Sequence, residues 1–257
     1  MGNPFLNTAR HPIGDERYAA ACAATLEADG ALVLSRFFTA EAIDRILDEA
    51  RPREAQAFYA ASTHNIYLTP PNETLPAGHP HNRQIRSSKG LIADDQIPRE
   101  SPLREIYEDE DFRTFLCRVL DIESVHPYAD RLSSINVHYA AEGMELGWHF
   151  DNSSFAVTAL LQAPEAGGVF EYVPNMRGDG GAGASERQAA VLDGREPVRI
   201  LSFDPGDLVL FRGREALHRV TPTQGATTRM LVVFAFNDQP GVELSESALQ
   251  TFYGRTT

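Results

Sequence analysis

The chain has 257 residues, 42% of them hydrophobic and 23% charged, the composition of an ordinary globular protein with enough mass for a sizeable core. Its formal charge of -13 argues against nucleic acid or an anionic membrane as the main partner, although a small basic pocket for an anionic molecule remains compatible with it. Two cysteines, Cys22 and Cys117, lie in amphipathic patterns and read as reduced thiols of a cytoplasmic protein, and the longest apolar run, Met230 to Phe236, is far too short to span a bilayer.

Residues 1–14 are polar and irregular. From Asp15 to Asp29, Tyr18, Cys22 and Leu26 recur at helical spacing, which predicts a first helix closed by Asp29-Gly30. A short apolar strand, Ala31 to Leu34, follows. Thr39 is placed to cap a second helix with the stripe Ile43, Ile46 and Leu47, and Pro52 closes it or starts a new element. Residues 60–100 are rich in Pro, His, Asn and Thr without a sustained period, and read as a long ordered excursion over the surface. Ser101-Pro102 starts a helix whose stripe of Leu103, Ile106 and Tyr107 continues through Phe112, Phe115, Leu116, Val119 and Leu120.

After His126-Pro127 the texture changes to short strands separated by turns. Eight candidates follow: Ser133–Ala140, Gly147–Asp151, Phe155–Gln162, Val169–Val173, Val198–Phe203, Asp207–Phe211, His218–Thr221 and Arg229–Asn237. Eight strands behind a helical front half predict a mainly β fold with flanking helices (α+β), a jelly-roll, cupin-like double-stranded β-helix. One domain is expected, with residues 1–125 mostly helix and loop, 126–240 the jelly-roll core and 241–257 a C-terminal tail. The Gly-rich run Gly178 to Ser185 sits between strands that must pair, and reads as a mobile loop.

The most informative stretch is Leu146-Gly147-Trp148-His149-Phe150-Asp151-Asn152. On a strand, residues i and i+2 share a face, so His149 and Asp151 can grip one ion while Phe150 faces away. His218, in Ala216-Leu217-His218-Arg219-Val220-Thr221-Pro222, offers a third ligand. Two histidines and a carboxylate are the facial triad of non-haem Fe(II) oxygenases. Arg229 heads the apolar strand that follows and would point into the barrel, where its guanidinium fork can hold a carboxylate. His79-Pro80-His81 also spells a His-x-His, but in a Pro/Gly loop without strand register it is not expected to bind metal.

These residues, with the segments Gly206-Asp207-Leu208-Val209-Leu210-Phe211 and His218-Arg219-Val220-Thr221-Pro222, make the chain similar to the Fe(II)/2-oxoglutarate-dependent dioxygenases. The segments Asn136-Val137-His138-Tyr139, Gly147 to Phe155, Leu160 to Pro164 and Gly167 to Pro174 resemble the branch that halogenates or hydroxylates free amino acids such as lysine. The resemblance implies Fe(II) held by His149, Asp151 and His218, 2-oxoglutarate anchored by Arg229, and O2 as the oxidant. Halogenating members carry a small residue where this chain has Asp151, so the expected outcome is hydroxylation of an unactivated C–H with release of succinate and CO2.

The expected partner is a small molecule, a free amino acid in the first instance; oligomeric state stays open. Arg86 is the choice for clamping a substrate carboxylate, the alternative being a surface ion pair. Asn152 could touch substrate or only shape a turn. Tyr253 could return over the pocket or merely pack. Asn136, with His138 on the same strand face, could bond 2-oxoglutarate or serve as a hydrogen-bonded core residue. Rival readings are the same chemistry on a carrier- or protein-bound residue, a desaturation or cyclisation, and a non-oxidative metal-binding cupin acting as sensor or isomerase. Arg229 separates the last of these, which has no need of it.

Overall fold

A computed structural model of the chain describes residues 2–178 and 182–257. The front half opens with helix α1 (Glu16–Asp29), whose free N–H groups at Arg17 and Tyr18 are taken by the Asp15 carboxylate; Gly30, at φ 71°, turns the chain out of it. Strand β1 (Ala31–Leu34) and helix α2 (Ala40–Ala50), capped by Thr39, follow as predicted, with a short 3-10 turn over Arg51–Gln56.

The next segment corrects the sequence reading. Residues 60–100, read as one long ordered excursion, instead contain most of an antiparallel pair, β2 (Phe58–His64) and β3 (Ile85–Ile92), joined by the long loop 65–84. Strand β2 is exposed on both faces along most of its length, so it carries no alternating apolar signal for a sequence argument to find. The single long stripe after Ser101 is likewise two helices, α3 (Pro102–Glu108) and α4 (Glu110–Leu120). Asp109 leaves helical geometry and caps the second by accepting from Phe112 N at 2.7 Å.

The remaining elements are β4 (Ile135–Ala140), β5 (Leu146–His149), β6 (Ala156–Gln162), β7 (Ala166–Gly167), β8 (Phe170–Val173), α5 (Ala182–Leu192), β9 (Arg199–Leu201), β10 (Leu208–Phe211), β11 (Leu217–Val220), β12 (Thr223–Gln224), β13 (Arg229–Phe234) and α6 (Glu246–Tyr253). Helix α5 begins inside the run read as a mobile loop; of that run, residues 179–181 lie outside the described residues. Its buried face is fixed by Gln188, which donates to Met176 O and accepts from the Tyr67 hydroxyl, and by Val191. Helix α6 lies within the expected C-terminal tail, 241–257.

Each of the eight strands expected after residue 126 is present. They form two facing antiparallel layers, β10-β6-β13-β4 and β5-β11-β8-β9, which is the double-stranded β-helix. Strand β3 pairs with β4 at Gly90↔Tyr139 and with β5 at Ser87↔Leu146, joining the layers along one side; β1 extends the first layer. On that layer, Val137, Tyr139, Val157, Leu208, Leu210, Val232 and Phe234 face outward into the largest apolar core, which α1–α4 cover. The alternate residues, among them His138, Thr158, Val209, Phe211, Arg229 and Leu231, face inward and line a cavity. Among the described residues no helix is long and apolar enough to cross a membrane.

Candidate metal centre and its pocket

His149 is the last residue of β5, and Asp151 lies just beyond the strand end, two residues on. The alternation that placed them together still holds. Trp148 and Phe150 are buried in a second apolar cluster with Ile66, Val173 and Leu217, which turns His149 and Asp151 to the opposite, cavity side. Antiparallel pairing then puts His218 of β11 directly opposite His149. One ligand atom from each of His149, Asp151 and His218 lies within 4.8 Å of the others.

Protonation decides what this cluster is for. His149 Nδ1 lies 2.7 Å from Gly147 O, and His218 Nδ1 lies 2.9 Å from Ala216 O. A carbonyl can only accept, so both Nδ1 atoms carry a proton, which leaves Nε2 of each ring as the atom able to present a lone pair to a metal when the ring is neutral. Burial, then the neighbouring His218, lowers the His149 pKa below its usual value and favours the neutral ring. Burial opposes ionisation of Asp151, yet His218 and His149 hold its carboxyl well below the usual carboxylate range. The Nε2 atoms stand 3.5 and 3.6 Å from Asp151 Oδ1. Three lone-pair donors thus converge on one point, an arrangement that a shared cation stabilises and that little else would. The donor set, two imidazoles and one carboxylate on one side of the point, fits a divalent iron with positions left over.

Because Asp151 is off the strand, other groups hold it. Its N–H donates to Gly213 O at 3.0 Å, its carbonyl accepts from Arg177 at 3.0 Å, and the Asn152 carbonyl accepts from Arg214. The Arg177 guanidinium is itself seated over the Phe150 ring, 5.5 Å from its centroid. Gly213 leaves the space that the carboxylate fills: a Cβ there would run into Asp151 Oδ2. Gly213→Ala is therefore expected to weaken divalent-metal binding by about 10- to 100-fold, the range found for disturbed ligand support. Cobalt titration read by visible absorbance, with unchanged circular dichroism as the control for folding, checks this.

Arg229 stands on the inner face of the opposite layer, 7% exposed, and among the described residues it has no hydrogen-bond or ion-pair partner. Gly168, at φ 61°, gives it room, since a Cβ there would come within 2.9 Å of Arg229 Cδ. Burial pulls its pKa down to about 10, which still leaves it charged at neutral pH. A cavity of about 240 Å³ connects it to His149, Asp151 and His218. That is about eight waters' worth of liquid volume, room for a small dicarboxylate but not for a large ligand. His138 lies between, kept neutral by burial and then by Lys89 and Arg229.

The other predicted residues divide. Asn136 is buried beside the metal cluster's cavity, its amide N–H donating to Ser133 O at 2.8 Å and its Oδ1 left without a partner. Tyr253, on α6, reaches the same 330 Å³ space with its ring 7% exposed, and Asn152 opens onto it. Arg86 is a correction. It sits on β3 opposite Thr63, exposed, on the face away from the cavities. A strand turns every second residue to the other side, and Ser87 and Lys89 take the inner one. Among the described residues His79 and His81 join no group that could hold a metal; the His81 ring packs at a tilt of 30° against Tyr67, centroids 4.7 Å apart.

Sequence reasoning missed Lys89, which lines all three spaces around the metal cluster. The signal was there to be counted: it is the chain's only lysine, against twenty-two arginines in a total of 23 basic residues. Ser87 was missed too. Its hydroxyl accepts from Gly147 N at 2.9 Å and bonds His64 Nε2 at 2.6 Å, bracing the turn of β5 that presents His149.

A family model described as Halogenase D (HalD) matches residues 15–251. No curated protein matches the sequence. Solved structures do match in fold. A 2OG-Fe(II) oxygenase family oxidoreductase from Burkholderia pseudomallei superposes with a TM-score of 0.55 at 15% identity, over 88% of this chain and 93% of that one. The alpha ketoglutarate dependent epimerase SnoN from nogalamycin biosynthesis gives 0.60 at 13% identity, over 87% and 84%. A Pseudomonas putida prolyl-4-hydroxylase gives 0.54 at 16%, over 86% and 99%.

Proposed function

This chain belongs to the Halogenase D family, and from that membership and its site geometry we propose that it is an Fe(II)- and 2-oxoglutarate-dependent oxygenase that hydroxylates a small molecule, a free amino acid. The observation that carries the reading is Arg229: a buried guanidinium without a counter-charge, one small cavity away from three converging metal-binding atoms. A metal-binding cupin without a dicarboxylate co-substrate has no use for such a group, whose burial unpaired costs stability.

His149, Asp151 and His218 would hold Fe(II), and Arg229 would hold the far carboxylate of 2-oxoglutarate. When bound, these cofactors and O2 supply the oxidation, in which 2-oxoglutarate goes to succinate and CO2 while a substrate C–H gains a hydroxyl. The chain contributes placement. Phe170, Val209, Phe211 and Leu231 line the inner cavity and keep it dry. Neutral His138 adds no charge that would compete with Arg229 for the dicarboxylate. Asp151 would take a place on the metal that a halide would otherwise need, which favours oxygen transfer.

Outside the metal cluster a groove of about 630 Å³ runs between β2, β3 and α6. Its size favours, as a second reading, the same oxidation on a residue attached to a carrier or peptide. Protein loaded with Fe(II) and given 2-oxoglutarate and O2 is expected to release succinate faster when the substrate is present in a panel of free L-amino acids, and the product mass is expected to gain oxygen even in high chloride. A chlorinated product would overturn the role given to Asp151. Stimulation by carrier- or peptide-linked residues alone would select the second reading.

A further inference from the structure

The substrate side of the pocket has a simple charge plan. The wide groove beside the metal cluster is lined among the described residues by one charged side chain, Lys89, and by no carboxylate. The adjoining space under α6 adds only Asp151, already committed to the cluster. Lys89 lies on the inner face of β3; its strand neighbour Leu91 pairs with His138, so the ammonium is directed to the same side. No hydrogen bond or ion pair satisfies it among the described residues, and its ammonium lies over the Phe252 ring of α6, 5.7 Å from the centroid. Burial lowers its pKa to about 8, with Asp151 acting weakly the other way, as expected for an ammonium that lacks a neighbouring anion of its own.

We propose that Lys89 is the seat for a carboxylate of the substrate, and that the substrate is otherwise uncharged or only weakly polar where it lies in the groove. This rests on the oxygenase reading above and sharpens it. Arg229 takes the co-substrate's anion deep in the barrel, and Lys89 takes the substrate's anion at its mouth. An amino acid with a neutral side chain meets that plan. Lysine, arginine or a polyamine does not, because among the described residues no carboxylate lines the groove to receive a second cation, and Glu145, the one carboxylate nearby besides Asp151, lines the inner cavity instead. The α-ammonium has a neutral acceptor within the adjoining space, the side-chain amide of Asn152.

Anaerobic Fe(II)–2-oxoglutarate protein provides the test, with binding read from changes in the visible absorbance of the chelate. Neutral L-amino acids are expected to bind, while basic ones and the corresponding decarboxylated amines bind at least about 100-fold more weakly. Lys89→Met is expected to lose a similar factor for the amino acid without weakening 2-oxoglutarate, and Lys89→Arg to recover most of it. A loss confined to 2-oxoglutarate, or basic amino acids binding as tightly as neutral ones, would overturn the proposal. Because Lys89 carries the only ε-amine in the chain, acylation by an amine-directed reagent, located by peptide mass, gives a second readout. Protection of Lys89 by hexanoate or benzoate without protection by amino acids would keep the anion seat and sink the amino-acid reading. Protection by neither would sink the anion seat alone, with substrate-independent succinate release still reporting on the enzyme class.

Discussion

Arg229→Met is expected to raise the 2-oxoglutarate concentration needed for half-maximal succinate release by two to three orders of magnitude, and at the same time to leave the ligand-free protein at least as stable. The first effect follows from losing one partner of a buried charge pair, which costs about 2–5 kcal/mol and so roughly 30- to several-thousand-fold in affinity. The second follows from the sign of the burial effect. The folded state lowers the guanidinium pKa from 12.5 to about 10, so the charged form is less comfortable folded than unfolded. That cost is present throughout the range below the folded value and is relieved only as pH rises towards the unfolded one. Methionine fills much of the same volume without the charge. Thermal unfolding with and without 2-oxoglutarate, in the presence of metal, measures both effects: wild type gains a large stabilisation from the co-substrate, and the variant gains little. A variant that is less stable alone yet binds 2-oxoglutarate normally would mean that Arg229 is structural.

Asp151→Ala is expected to abolish the proposed hydroxylation, with a loss of at least about 1000-fold, because two imidazoles alone would no longer fix the metal in a tripod and iron affinity drops by more than the 10- to 100-fold seen when mere ligand support is disturbed. The backbone around it should survive. Gly213 O, Arg177 and Arg214 all grip main-chain atoms of Asp151 and Asn152, which alanine keeps. The variant should therefore fold, while Fe(II) raises its melting temperature far less than it raises that of wild type. With chloride supplied, product carrying halogen would show that the vacated position is usable. Wild-type rates from the alanine variant would remove Asp151 from the metal site altogether.

Much of this was legible in the sequence wherever a period or a cap carried the information. The jelly-roll strands stand out as short apolar or alternating runs between turn residues, and Thr39 and Ser101 announce their helices. His149, Asp151, His218 and Arg229 could be found because each sits where a strand's alternation or its end fixes the side chain's direction. What escaped was held by tertiary contact. Strand β2 is exposed on both faces and exists because β3 pairs with it, so no local pattern marks it. Arg86 was chosen for its charge in a supposed loop; once the segment is a strand, parity gives the inner position to Lys89. Helix α5 was hidden by the glycines in front of it, although Ala182 to Leu192 has the alanine-rich composition that favours helix. Gly213 and Arg177 act on Asp151 across gaps of tens of residues, and nothing in their own neighbourhoods points to it.

The metal ligands ride on β5, β11 and the turn after β5, in one layer of the double-stranded β-helix, whereas Arg229 rides on β13 in the other. Any molecule that touches both ends of the inner cavity is consequently a rivet through two sheets that otherwise meet along β3 and through their connecting loops. A dicarboxylate bound between them would therefore tie the two layers together, so that its binding is expected to stiffen the barrel as well as fill the cavity.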